Sequence, residues 1–212
     1  MKELINRLNL IDCMEYMKSI PDKYFDAVVT DPPWNMNYFS DDNKSWDEYC
    51  EWLKIHITEF ERVSDNIVIF QSSKAIPFVS HLFIDYESMV IIKNFSQMTP
   101  KKLPNCFDIV FLKYKNGYKG NGRNWFLSNT AGMLKQRTGH PTPRAEDCME
   151  YVLSMFDWNK IYDPFMGSGT TGIACYETGK EFYGTEIEEK YYNIAVERIK
   201  KVTAQGKLFA SQ

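Results

Sequence analysis

Between Ile161 and Glu186 the chain presents a unit that few folds accept. Ile161-Tyr162 leads as a short strand into Asp163-Pro164-Phe165-Met166-Gly167-Ser168-Gly169-Thr170-Thr171, an apolar helix covers 172–177, and Gly179 ends it. Phe182-Tyr183-Gly184-Thr185 then forms a second strand, with Glu186 at its end and Ile187 next. This order lays a nucleoside cofactor against a parallel sheet: glycines let the backbone approach the ligand, and the terminal carboxylate takes ribose hydroxyls. Glu186 lies 23 residues after Asp163, a suitable interval. The loop is neither G-x-G-x-x-G nor a P-loop, and no lysine follows its second glycine, so a phosphate cradle is weakly supported. An acid at the head of the loop repels pyrophosphate and attracts a cation, which favours a zwitterionic, sulfonium-bearing cofactor over a dinucleotide. The plainer alternative is a glycine-capped turn between strand and helix.

A second stretch gives that unit a partner. Phe25-Asp26-Ala27-Val28-Val29-Thr30 reads as a buried, β-branched strand that Asp31-Pro32-Pro33-Trp34 ends abruptly. Ligands of open α/β sheets bind outside such strand ends. A flat base with an exocyclic amino group would find Asp31 and the Pro32 carbonyl as acceptors. Pro33 has no N–H to offer, and Trp34 supplies a π-face for stacking. The tetrapeptide taken alone also suits a surface turn with a partly buried Trp.

The remaining elements fit the same sheet. Leu8 to Ile11 has strand character and ends at Asp12-Cys13, where Asp12 either meets a ligand or caps the following helix. Ser45-Trp46-Asp47-Glu48 is a capping box opening a helix with Tyr49, Trp52, Leu53, His56, Phe60 and Val63 on one face. His56 reads as a packed histidine. Further strands are expected at 66–70, 89–92 and 108–112, a brief helix at 75–83, and a helix at 144–156. A last amphipathic helix covers 188–200, with fraying expected from Ala204 onward. Residues 116–139 are the least regular, with Tyr118, Trp125 and Phe126 interleaved among glycines and cations. That composition suits contact with bases and phosphates, or a mobile lid.

At 212 residues one domain with a full core is expected. No run approaches the roughly 20 apolar residues of a membrane span, and the amino terminus does not look like a signal peptide, so a cytoplasmic location is expected. Five scattered cysteines and three histidines argue against disulfides and against a metal site. The net charge of -3 hides an asymmetry: residues 93–144 carry ten Lys and Arg against Asp108 alone. This basic insert is either a face for a polyanion or a solvated lysine-rich stretch.

Together, Asp31-Pro32-Pro33-Trp34 and the loop from Asp163 to Thr171 resemble the amino-group DNA methyltransferases, which modify adenine N6 or cytosine N4 with S-adenosylmethionine. The tetrapeptide precedes the cofactor loop, the order of the family's β class. His140-Pro141-Thr142-Pro143 resembles the class's H-P-T-x-K-P segment, with Arg144 where that pattern departs, and Asp12-Cys13 matches the position that meets the cofactor's adenine. The resemblance implies an α/β, Rossmann-like fold with a mixed, mostly parallel seven-stranded sheet and helices on both faces. It implies Asp31, Pro32, Pro33 and Trp34 as catalytic. It assigns Asp12, Cys13, Asp31, His140, Thr142, Asp163, Pro164, Phe165, Gly167, Ser168, Gly169, Thr170, Glu186 and Ile187 to the cofactor. The implied activity is adenine-N6 methylation of duplex DNA, with the insert at 93–144 as a minimal recognition region and a homodimer or second subunit completing specificity. Cytosine-N4 methylation, RNA adenine methylation and a non-catalytic partner subunit are the competing readings.

Overall fold

The computed structural model describes residues 7–35, 44–93, 106–128 and 145–209. Its strands are β1 (Leu8–Leu10), β2 (Ala27–Thr30), β3 (Ile67–Ser72), β4 (Glu87–Lys93), β5 (Phe107–Lys113), β6 (Trp125–Ser128), β7 (Lys160–Asp163) and β8 (Glu181–Glu186). They form one sheet in the order β1-β8-β7-β2-β3-β5-β4-β6. Five of the seven neighbouring pairs are parallel, and only β5 runs against its neighbours β3 and β4. The helices are α1 (Cys13–Lys18), α2 (Trp46–Val63), α3 (Ile76–Val79, continued by a 3-10 turn at Ser80–Phe83), α4 (Glu146–Ser154), α5 (Thr170–Glu177) and α6 (Glu189–Phe209).

Side-chain alternation along the strands builds two cores. Val28, Ile67, Ile69, Phe111 and Tyr162 face the layer of α1, α2 and α3. Ala27, Val29, Val68, Phe70, Val110, Leu112, Ile161 and Phe182 face α4, α5 and α6. Strands covered on both faces read as continuous apolar runs, which is why β2 and β3 are buried along their whole length.

Two expectations need correction. The sheet has eight strands rather than seven, because Trp125–Ser128 pairs with β4 inside the stretch read as irregular. Glycines around it and the lack of β-branched residues hide it; pairing with β4 makes it a strand. The last helix continues to Phe209, past the point where fraying was expected. Among the described residues no helix is long and apolar enough to cross a membrane, and no group of His, Cys, Asp and Glu could hold a metal ion.

Candidate active site

The chain moves from β2 through α2 to β3 on one side, and from β7 through α5 to β8 on the other. β2 and β7 are adjacent and parallel, so the strand order reverses between them. A crevice opens at such a switch point, outside the carboxyl ends of the strands. Both motifs begin there: Asp31 follows β2, and Asp163 closes β7.

A buried hydrogen bond joins them. Thr30 Oγ1 donates to Asp163 Oδ1 at 2.7 Å, Thr171 Oγ1 donates to Oδ2 at 2.6 Å, and the Phe165 N–H donates to Oδ1 at 3.0 Å. Burial pushes the Asp163 carboxyl up to about 7 despite these three donors, and the neighbouring charge of Asp31 adds to the rise. Thr30 and Thr171 were not among the expected site residues. A hydroxyl next to an Asp-Pro motif is the signal that would have found Thr30.

Glu186 fixes the glycine loop from the next strand. Its Oε2 accepts from the Gly167 N–H at 3.0 Å and its Oε1 from the Glu188 N–H at 2.8 Å, and burial raises its pKa. Thr185 adds a donor to the Pro164 carbonyl at 2.8 Å. Gly167 and Gly169 both take positive φ, and a Cβ on Gly169 would lie 3.0 Å from that of Ala195. Ser168, Gly169 and Thr170 are buried, so the loop is seated rather than draped over the surface. Phe165 is half-buried between the loop and α2, with its ring 5.6 Å from both Trp52 and His56. His56 is the packed residue expected, its Nδ1 2.7 Å from the Trp52 carbonyl.

Just after β1, Asp12 Oδ1 accepts from the N–H groups of Met14 and Glu15 at 2.9 and 3.0 Å, so the capping role for α1 is present. The Ile11 N–H donates to the Glu186 carbonyl, which sets Asp12 beside the end of β8. The Cys13 thiol is buried and pushed up to about 12, chiefly by burial and then by Asp12, so it is no nucleophile. Ile187 stands exposed beyond Glu186. His140 and Thr142 lie outside the described residues.

Adjacent strands β1, β8, β7 and β2 are thus each closed or shortly followed by an acid: Asp12, Glu186, Asp163 and Asp31. The DNA methylase family matches this chain over residues 58–197. The chain belongs to that family. As an N6/N4-type DNA methyltransferase it takes its methyl group from S-adenosylmethionine. The acid row fits that group's chemistry, since carboxylates suit its sulfonium and ammonium charges and its ribose hydroxyls.

This methylase is 30% identical to the type II methyltransferase M.BglII of Bacillus subtilis, over 92% of this chain and 69% of that one. It is 26% identical to M.HinfI of Haemophilus influenzae, over 95% and 71%. Its fold resembles the M1.HpyAVI–SAM complex, with a TM-score of 0.66, 23% identity and coverage of 91% and 98%. It also resembles the cytosine-N4-specific PvuII DNA methyltransferase, with a TM-score of 0.72, 15% identity and coverage of 92% and 90%.

The insert at 93–144 divides in two. Lys113 lies in register with Ile67 at the start of β3, the end of the sheet away from the crevice. Asn116 bonds Asn66 there, and Tyr118 packs on Phe156. Lys113 and Lys115 pair with Glu61 and Asp65. Tyr118, whose ring is exposed, and these two lysines therefore lie at the end of the sheet away from the crevice. Lys93, Cys106 and Ser128 instead stand at the crevice end, where Lys93 pairs with buried Asp108 at 2.8 Å.

Proposed function

We propose that this methylase transfers a methyl group to N6 of adenine in duplex DNA, with the base turned out of the helix into the crevice. The observation that carries this reading is the Thr30–Asp163 bond, which seats Asp31-Pro32-Pro33-Trp34 against the cofactor loop at the switch point. Asp31 and the Pro32 carbonyl accept the two amino hydrogens and draw the nitrogen lone pair out of conjugation. Asp31 then holds the proton that the alkylated nitrogen must lose. Half-buried Trp34 stacks on the base, worth about 1–3 kcal/mol against an unstacking cost of a few kcal/mol. Asp12, Asp163, Glu186, Ile187 and the loop from Pro164 to Thr170 hold S-adenosylmethionine, with His140 and Thr142 assigned by the family pattern. When bound, it supplies a methyl group on a cationic sulfur. The protein's own contribution is orientation of the two reactants, and no covalent enzyme intermediate is needed.

An aspartate at the head of the tetrapeptide supports adenine over cytosine. DNA is held by the basic stretches that begin and end at the crevice, around 93–106 and 128–145, and a second copy or separate subunit completes sequence specificity. Duplex DNA, single-stranded DNA and RNA oligonucleotides given labelled S-adenosylmethionine, then digested to nucleosides, test the reading. N6-methyladenine from the duplex is expected, and Asp31→Ala should lose it while still binding cofactor. N4-methylcytosine, label confined to RNA, or undiminished turnover in the Asp31 variant would overturn it.

A further inference from the structure

The catalytic turn contains two carbonyls that a base could meet, those of Pro32 and Pro33. One is already engaged. Tyr49, buried in the first turns of α2, donates its hydroxyl proton to the Pro33 carbonyl at 2.7 Å. Behind it, Gln71 of β3 donates from Nε2 to the Tyr49 hydroxyl oxygen at 3.0 Å. A phenol has one proton, and here it goes to Pro33, so Gln71 must face it with a donor. That orientation leaves Gln71 Oε1 buried with no partner among the described residues. An unsatisfied buried acceptor is costly, yet turning the amide over would set two acceptors against each other. The site keeps the donor facing Tyr49.

The rest of the neighbourhood fixes Tyr49. Ser45 and Glu48 form the capping box that starts α2 one turn before it. Asn35, at positive φ directly after Trp34, accepts from the Lys44 N–H at 2.9 Å and donates to its carbonyl at 2.8 Å, tying the end of the turn to the start of the helix. The tetrapeptide is thus held from β3, through Gln71 and Tyr49, as well as from β7 through Asp163.

The geometry points to Tyr49 and Gln71 as a positioning relay for methyl transfer: together they occupy the Pro33 carbonyl and fix the peptide plane, leaving Pro32 and Asp31 to take the amino hydrogens. This rests on the reading proposed above. Neither residue touches the base; each acts through the turn.

Three variants test it in single-turnover methyl transfer with cofactor affinity measured alongside. Tyr49→Phe removes one oxygen and should slow transfer about 10- to 100-fold, with the S-adenosylmethionine Kd within about twofold of wild type. Gln71→Glu gives a pH signature. Its protonated acid donates to Tyr49 as the amide does, whereas its carboxylate competes with Pro33 for the phenol proton. Burial raises the introduced acid's pKa, so transfer should fall about tenfold or more relative to wild type as pH rises from 6 to 9. In the double variant that added pH dependence should vanish, because no phenol proton remains to be diverted. Wild-type speed in Tyr49→Phe, a wild-type pH profile in Gln71→Glu, or pH dependence surviving in the double variant would each overturn the relay. If Gln71→Glu does not fold, Tyr49→Phe decides alone. A wild-type chain that binds cofactor and methylates no base overturns the functional reading, and the relay falls with it; normal wild-type turnover beside an unimpaired Tyr49→Phe overturns the relay only.

Discussion

Asp163 is the residue on which the two motifs meet, and its chemistry is set by competing effects. Three short donors favour its carboxylate, while complete burial and the charge on Asp31 favour the acid, and burial wins. In an unfolded chain the same group titrates near 4. Between about pH 4 and pH 7 the folded state therefore binds a proton that the unfolded state has released, and stability contributed by this group falls as pH rises through that window. Asp163→Asn keeps the shape and removes the titration. Chemical denaturation at pH 5 and pH 8 should show wild type losing more stability over that interval than the variant does; parallel losses would mean that Asp163 is already ionised at pH 5. A cationic cofactor beside the group reverses the preference, so binding should release a proton near neutral pH, visible in calorimetry as a heat that depends on the buffer.

Among the elements, α6 does more than cover the sheet. Arg198 reaches from it to donate to the Ser168 carbonyl at 2.6 Å and to Ser168 Oγ at 2.9 Å, and pairs with Glu146 of α4 at 2.6 Å. One guanidinium thus clamps the glycine loop between two helices, a task for a planar fork of donors. Arg198→Met leaves the loop carbonyl without that donor, and a loss of about 1–3 kcal/mol in stability is expected, or roughly 2–12 °C in Tm for a chain of this size. Cofactor affinity should fall with it, about tenfold, because the loop is what Arg198 holds; a melting shift with unchanged affinity would confine Arg198 to packing. Nothing in the sequence marks this residue. It sits beside Ile199 on a helix whose apolar stripe reads plainly, and a lone arginine there looks like a solvated one. Strands β1, β2, β7 and β8 and the acids at their ends were legible because short strand-like runs leading to Asp or Glu are local patterns. Tyr49, Gln71, Thr30 and Arg198 were not, since each acts across a contact between elements distant in sequence. The capping box named the start of α2, yet nothing in it says that Tyr49 reaches a proline carbonyl.

At the scale of the whole molecule the formal charge count misleads in both directions. The net value of -3 conceals the basic stretch, and the basic stretch in turn overstates its free charge, since Lys93, Lys113 and Lys115 are paired with Asp108, Glu61 and Asp65. Position along the sheet separates the cations into two groups. Lys113 and Lys115 belong to the end opposite the crevice, where a duplex presenting a base to Asp31 would not reach them. Lys101, Lys102, Lys135 and Arg137 lie in stretches of sequence that depart from Lys93 and Ser128 at the crevice end. Each phosphate neutralised by a lysine or arginine contributes about -0.9 to the slope of log affinity against log salt. Replacing Lys101 and Lys102 with Ser should weaken duplex binding at low salt and flatten that slope by about 1 to 2. Replacing Lys113 and Lys115 with Ser should leave both slope and affinity unchanged, at some cost in stability from Glu61 and Asp65. Fluorescence anisotropy with a labelled duplex across a salt series separates the pairs. Equal effects from both would mean that DNA wraps the sheet from end to end, and the crevice could then no longer be the single place where the duplex is held.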